Sequence, residues 1–194
     1  MTSSDETALP DGAKARAAAR VGSSLDATEL VSGAARELRV GFACAEFNGG
    51  ITDRLLTAAL DELDAAGGDL ATSVVSWAPG AFELPLVARG LLASGRVDVV
   101  VALGAVIRGD TGHYDFVAGE CAAGLQRVQL DTGRPVVFGV LTTDTVEQAL
   151  VRSLPDATNK GAEAVRTALG TAALLQGIAD LPSGHRVGFT VGGR

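Results

Sequence analysis

Residues 108–113, Arg-Gly-Asp-Thr-Gly-His, place a cation, two glycines, a carboxylate, a hydroxyl and one of the chain's two histidines in consecutive positions. These residue types grip anions and move protons. A guanidinium fork pairs with phosphate oxygens, glycine lets backbone N–H groups close on a ligand, and imidazole titrates near neutrality. Gly109-Asp110-Thr111 ahead of a helix has two readings. It is an anion site made of free N–H groups and a hydroxyl at a helix start, or an ordinary turn capped by Thr111 or Asp110. Gly104-x-x-x-x-Gly109 matches neither a Walker loop nor a dinucleotide fingerprint. His113, read as one turn into that helix, is a proton-shuttle candidate, set against the commoner structural or solvated histidine. Phe47-Asn48 and Ala81-Phe82-Glu83 add rings that could stack on a heterocycle and a carboxylate able to hold polyol hydroxyls. Core phenylalanine and a helix cap are their ordinary readings. Arg152 and Lys160 stand far downstream, where solvated helix-surface charge is usual.

The pattern around these residues says what must position them. LRVGFACA (38–45) is a short apolar run, followed by a helical stripe at Ile51, Leu55, Ala59, Leu60 and Leu63 that stops at Gly67-Gly68. Leu70–Trp77 reads as a second strand, and Pro85 opens a helix carrying Val87 and Leu91 that stops at Gly95. Val97–Val106 is the third strand, and Val117, Cys121, Leu125 and Val128 form the next helical face. Pro135–Leu141 is the fourth strand. Asp144-x-x-Glu147 reads as a capping box, and Asn159 as the cap of a last helix running from Gly161 to about Gly177. Strands without a polar face, alternating with amphipathic helices, give an α/β class: a three-layer, doubly wound, flavodoxin-like domain around a four-stranded parallel sheet. Ligands bind beyond the carboxyl ends of such strands. Phe47, Ala81–Glu83 and Arg108–His113 all fall there, which suggests one shared pocket.

Length and composition bound the rest. The 194 residues fit one domain plus tails, and 47% hydrophobic residues suffice for a core. A net charge of −7 argues against nucleic acid or an anionic membrane as partner. No apolar run approaches the roughly 18 residues of a membrane helix, and no signal segment opens the chain. Cys44 and Cys121 show no metal spacing and read as small core residues in a reducing cytoplasm. Residues 1–26, rich in Ala, Ser, Thr and charge, read as a mobile extension in which AKARAAAR can form a helix turn. Residues 27–178 are the domain, with Ala27–Val31 a short strand, and 179–194 are a loose tail with His185 a solvated bystander.

In combination, FNGGIT, WAPGAFELP, ALGAVIRGDTGHYD, PVVFGVLTTD-x-x-EQA and NKGAEA, in that order over residues 38–175, resemble the lumazine synthases. The resemblance implies an enzyme, a transferase of riboflavin biosynthesis. It would condense 5-amino-6-(D-ribitylamino)uracil with 3,4-dihydroxy-2-butanone 4-phosphate to 6,7-dimethyl-8-ribityllumazine, phosphate and water, with no metal and no cofactor. By the same resemblance Phe47 stacks on the pyrimidine, Ala81 and Phe82 hold the heterocycle beside Val106 and Ile107, and Glu83 takes ribityl hydroxyls. Gly109, Asp110, Thr111 and Arg152 bind phosphate, and His113 transfers protons. Phe138, Arg152 and Lys160 come from a neighbouring subunit, because family sites straddle two chains. The implied partners are the two small substrates and further copies of the chain. The copies form a pentamer or a sixty-subunit icosahedral shell with room for riboflavin synthase as cargo, and the early strand joins a neighbour's sheet. The short SLPDATNK connection resembles the shell-forming version. Asp110 stands at a position that varies in the family, so the expectation there is binding through backbone. Other readings remain open: an archaeal-type riboflavin synthase, a noncatalytic scaffold, or a flavodoxin-like flavin carrier.

Overall fold

The computed structural model describes residues 8–21, 23–27, 35 and 37–182. A short helix, α1 (Ala13–Ala18), precedes the domain and buries none of its residues. The domain then alternates β1 (Val40–Ala45), α2 (Gly49–Ala65), β2 (Val74–Ala78), α3 (Leu84–Ala93), β3 (Val99–Ile107), α4 (His113–Thr132), β4 (Val136–Thr143), α5 (Val146–Arg152) and α6 (Lys160–Ala179). All four strands are parallel, in the order β2-β1-β3-β4. The polypeptide therefore starts the sheet in the middle, moves to one edge, and crosses back to build the other.

The apolar runs become central strands because side chains alternate between two covered faces. Phe42 and Cys44 of β1, with Val99, Val101, Leu103 and Ala105 of β3, pack against Leu55, Ala59 and Leu63 of α2 and Val165, Ala168 and Leu169 of α6. Ala43 and Ala45, with Val100, Ala102 and Val106, pack against Leu84, Ala88 and Leu91 of α3 and Cys121 and Leu125 of α4. Truncating a fully buried leucine in such a core costs about 2–5 kcal/mol, and Leu55, Leu84, Leu103 and Leu125 are all of this kind. Both cysteines are free and buried, and burial pushes their thiols up to about 12.

Several boundaries differ from the sequence pattern for local reasons. Leu70–Thr72 forms a 3-10 turn, not the start of β2, because the Asp69 carboxylate accepts from the Ala71 N–H and stops the chain extending. The cap before α5 is Thr145, one residue beyond the expected Asp144. The Thr145 hydroxyl accepts from the Gln148 N–H at 3.2 Å, and the Gln148 side chain accepts from the Asp144 N–H at 2.9 Å. Asn159 caps α6 as its position implies, accepting from the Gly161 N–H at 2.8 Å. It also donates to Leu154 O at 2.8 Å, which knits the SLPDATNK turn closed. The helix itself runs on to Ala179. Of the short strand expected at 27–31, only Ala27 is described, and its backbone is helical; the remainder, like His185, lies outside the described residues. Among the described residues, no helix is long and apolar enough to cross a membrane.

Candidate active site

The exits of β1, β2 and β3 converge on one cleft of about 630 Å³, within the size range of small-molecule sites. After β1, the Glu46 N–H donates to Ala78 O at 2.8 Å and the Phe47 N–H to Pro79 O at 3.2 Å, extending the pairing with β2 past the sheet. Asn48 then turns the chain into α2 from the left-handed region, at φ 58°, which asparagine tolerates better than most residues. Its amide donates to Ala105 O at 2.8 Å. After β2, Ala81–Glu83 form a 3-10 turn that feeds α3, with Pro85 in the first turn where its missing N–H leaves no gap. Phe47 (71% exposed) and Phe82 (56% exposed) are therefore cleft walls, not core residues as phenylalanine usually is.

After β3, His113 is the first residue of α4, closer to the helix start than the one-turn offset expected. Its N–H lies 3.4 Å from Thr111 Oγ1, a contact too long to be a firm cap. The α4 start thus keeps donors open to solvent at the cleft. Gly109, Thr111 and His113 line the cleft together with Val106, Ile107, Ala81 and Glu83, whereas Asp110 does not. The cation of this stretch is already engaged. Arg108 donates to Asp115 and Asp144, each at 3.1 Å, and lies 4.0 Å from the centre of the Tyr114 ring. Its hydrogen bonds to Asp115, then to Asp144, hold it more firmly protonated than a free guanidinium.

Phe138, Arg152 and Lys160 are not in this cleft. They line a separate one of about 610 Å³ along β4, one of the two edge strands of the sheet. There Arg152 donates to Gln148 O at 2.9 Å and Lys160 pairs with Glu163. One chain accordingly holds the expected site residues as two groups on two faces.

The first cleft also takes in residues that the motif reading passed over: Tyr114, Phe116 and Val117. Their signal was present. Helical spacing puts residues three and four beyond His113 on its own face, which selects Phe116 and Val117. Phe116 is 71% exposed, a third phenylalanine lining the same space.

The arrangement is a half-open aromatic slot bounded by a carboxylate, an imidazole and a helix start rich in donors. Such a slot suits a planar heterocycle beside an anionic group. A family model described as 6,7-dimethyl-8-ribityllumazine synthase matches residues 37–176, which span every one of these positions. A protein of Edwardsiella ictaluri named 6,7-dimethyl-8-ribityllumazine synthase is 54% identical over 147 residues, covering 75% of this chain and 94% of that protein. A protein of the same name from Thermus thermophilus is 51% identical over 144 residues, covering 74% and 92%. One from Protochlamydia amoebophila is 50% identical over 131 residues, covering 68% and 76%. With the sheet, the three strand exits and the sequence matching along the whole domain, this chain belongs to the 6,7-dimethyl-8-ribityllumazine synthase family.

Proposed function

We propose that the cleft at the exits of β1, β2 and β3 is where this chain carries out its family's condensation. There 5-amino-6-(D-ribitylamino)uracil and 3,4-dihydroxy-2-butanone 4-phosphate yield 6,7-dimethyl-8-ribityllumazine, phosphate and water. The observation that carries the reading is the convergence of Phe47, Phe82, Glu83, Thr111 and His113 on one space of suitable size. Phe47 stacks on the pyrimidine, the backbone at Ala81 and Phe82 holds its edge, and Val106 and Ile107 form the floor. Glu83 accepts from ribityl hydroxyls. The N–H groups at Gly109, Asp110 and Thr111, together with the Thr111 hydroxyl, receive the phosphate, and Asp110 takes part through backbone because its carboxylate would repel the anion.

The chemistry needs two molecules held face to face. The pyrimidine amine attacks the ketone, loss of water gives an imine, phosphate leaves, and the ribitylamino nitrogen closes the ring on the resulting carbonyl with loss of a second water. Fixed orientation supplies up to about 7–11 kcal/mol of such a barrier, and donors aimed at the departing phosphate stabilise its developing charge. His113 moves protons in the imine and elimination steps. Its share is the smaller one, and His113→Ala loses less than the ~10²–10⁴-fold typical of acid–base groups.

The second cleft supports a composite site. Phe138, Arg152 and Lys160 of one chain close the first cleft of a neighbour, where the Arg152 fork grips the phosphate. A head-to-tail contact of this kind closes into a ring, here a pentamer. The compact, self-bonded SLPDATNK turn favours twelve such rings in a sixty-subunit shell. Analytical ultracentrifugation separates the two, and a particle of pentamer size rules out the shell. Residues 27–178 form the catalytic domain. Two buried free thiols suit the reducing cytoplasm, where we place the protein.

The deciding experiment mixes purified protein with both substrates and follows lumazine fluorescence, with Arg152→Ala alongside. Catalysed appearance of product, sharply weakened in the variant, is expected. A rate equal to the spontaneous background would overturn the reading.

A further inference from the structure

None of the roles above uses the side chain of Arg108, yet it is the most heavily engaged charged group near the cleft. Its backbone N–H donates to Thr143 O at 2.9 Å, continuing the β3–β4 ladder past the strand. From there the side chain turns back over the loop 109–113. Nη2 donates to Asp115 Oδ1 at 3.1 Å, Nη1 reaches Asp115 Oδ2 at 3.5 Å, and Nε donates to Asp144 Oδ1 at 3.1 Å. The guanidinium lies 4.0 Å from the Tyr114 ring centre. Tyr114 in turn packs on the core beneath α4. One side chain therefore joins the end of β3, the turn after β4 and the first turn of α4, and spans the loop bearing Gly109, Thr111 and His113.

We propose that Arg108 is a positioning residue for the phosphate-bearing ketone, fixing loop 109–113 in its binding conformation before the substrate arrives. The proposal rests on the reading of Gly109–Thr111 as the phosphate site. Gly109 and Gly112 give this loop backbone freedom, residues 109–113 are all exposed, and a Cβ at either glycine would meet nothing within 4 Å, so little packing holds the loop in place. Ordering it at each binding event would weaken affinity, and a cross-link made in advance removes that cost. Direct attraction of the phosphate by Arg108 is the competing explanation. The fork is spent on two carboxylates, and the three groups together carry one more negative than positive charge. Only a role through geometry is left to it.

The two explanations give opposite signs for Asp144→Ala, which cuts the anchor to β4 while removing a negative charge near the phosphate. Steady-state kinetics on the assembled enzyme, varying each substrate in turn, reads the difference. The clamp predicts that KM for the phosphate ketone rises about fivefold, the upper scale of losing one exposed ion pair, with KM for the pyrimidine within about twofold of the wild type. Arg108→Gln gives a larger rise of the same kind. Arg108→Lys restores little, because an ammonium cannot make the three-way fork. If Arg108→Gln does not fold, Asp144→Ala, at an exposed turn, carries the test alone. A KM for the phosphate ketone that falls or stays level in Asp144→Ala overturns the clamp. Thr111→Val, measured beside it, guards the premise. An unchanged KM there overturns the loop as the phosphate site and this proposal with it, whereas a raised KM in Thr111→Val with none in Asp144→Ala overturns the clamp alone.

Discussion

The side-chain amide of Asn48 donates to the backbone carbonyl of Ala105 across 2.8 Å, joining the turn after β1 to the end of β3. Because Asn48 also occupies the left-handed region, two separate contributions meet at one residue beside Phe47. Asn48→Gly keeps the conformation and loses the bond; Asn48→Ala loses both. We expect urea unfolding to show about 1–2 kcal/mol lost for glycine and a further 1–2 kcal/mol for alanine. Equal losses in the two variants would mean that the left-handed geometry is not a constraint.

Separate placement of the two clefts makes a mixing experiment informative. Thr111→Asp puts a carboxylate into loop 109–113, the proposed phosphate site, and Arg152→Ala removes the distant fork, so each protein alone should be nearly inactive. Co-assembled in equal amounts, about a quarter of the sites recover two intact halves in a head-to-tail ring. Turnover no greater than the sum of the separate variants would refute a site shared between chains.

At the opposite end of the sheet, Arg39 grips Asp98 through its side chain at 2.8 and 2.9 Å and through its backbone N–H at 3.0 Å. The Arg39 side-chain bond, outweighing partial burial, holds the Asp98 carboxyl below its ordinary value of 3.8. The folded protein thus takes up this proton at lower pH than the unfolded chain does. Its stabilising contribution is present above 3.8 and fades as pH falls below it. Asp98→Asn should cost about 1 kcal/mol at neutral pH, with the difference shrinking in acid denaturation curves taken toward pH 2–3. A difference that persists undiminished would assign the cost to packing.

Gly161 lies in the first turn of α6 against the middle of α2. A Cβ there would stand 2.0 Å from Leu55 O and 2.7 Å from its carbonyl carbon, both immovable backbone atoms. Gly161→Ala should destabilise by at least 1–3 kcal/mol, despite alanine's better helix propensity. A stabilised variant in thermal unfolding would show that α6 can slide.

How far the sequence foretells this molecule depends on the distance over which each feature is decided. The β1 and β3 runs are legible because burial on both faces leaves no polar residue in them, and the Ile51–Leu63 stripe because one buried face of its helix repeats at helical spacing. Leu70 misleads, since the Asp69 carboxylate captures the N–H of the next residue, Ala71, and apolar character alone does not reveal that. The shift from Asp144 to Thr145 is a choice between adjacent cap formers that the Gln148 side chain settles. Phe47 and Phe82 read as core by type, but they lie two and four residues past the last registered pair, Ala45 with Ala78, where the sheet no longer covers them. Arg108 is conspicuous in the sequence, yet its partners stand seven and thirty-six residues away, a pairing that only tertiary contact creates. The resemblance names the roles of Arg152 and Lys160, whereas a single chain leaves them in a second cleft.

The strand order has a consequence for how this polypeptide comes into being. β1 leads synthesis but sits inside the sheet, so its backbone waits for residues 74–78 on one side and 99–107 on the other. The outer cover of its face arrives later still, when α6 reaches back across about a hundred positions to seat Gly161 on Leu55. A nascent chain therefore carries a strand buried along its whole length only partly covered for most of its translation. Slow or interrupted elongation past residue 107 is the moment at which this fold is most exposed to aggregation, and chaperone demand should concentrate there.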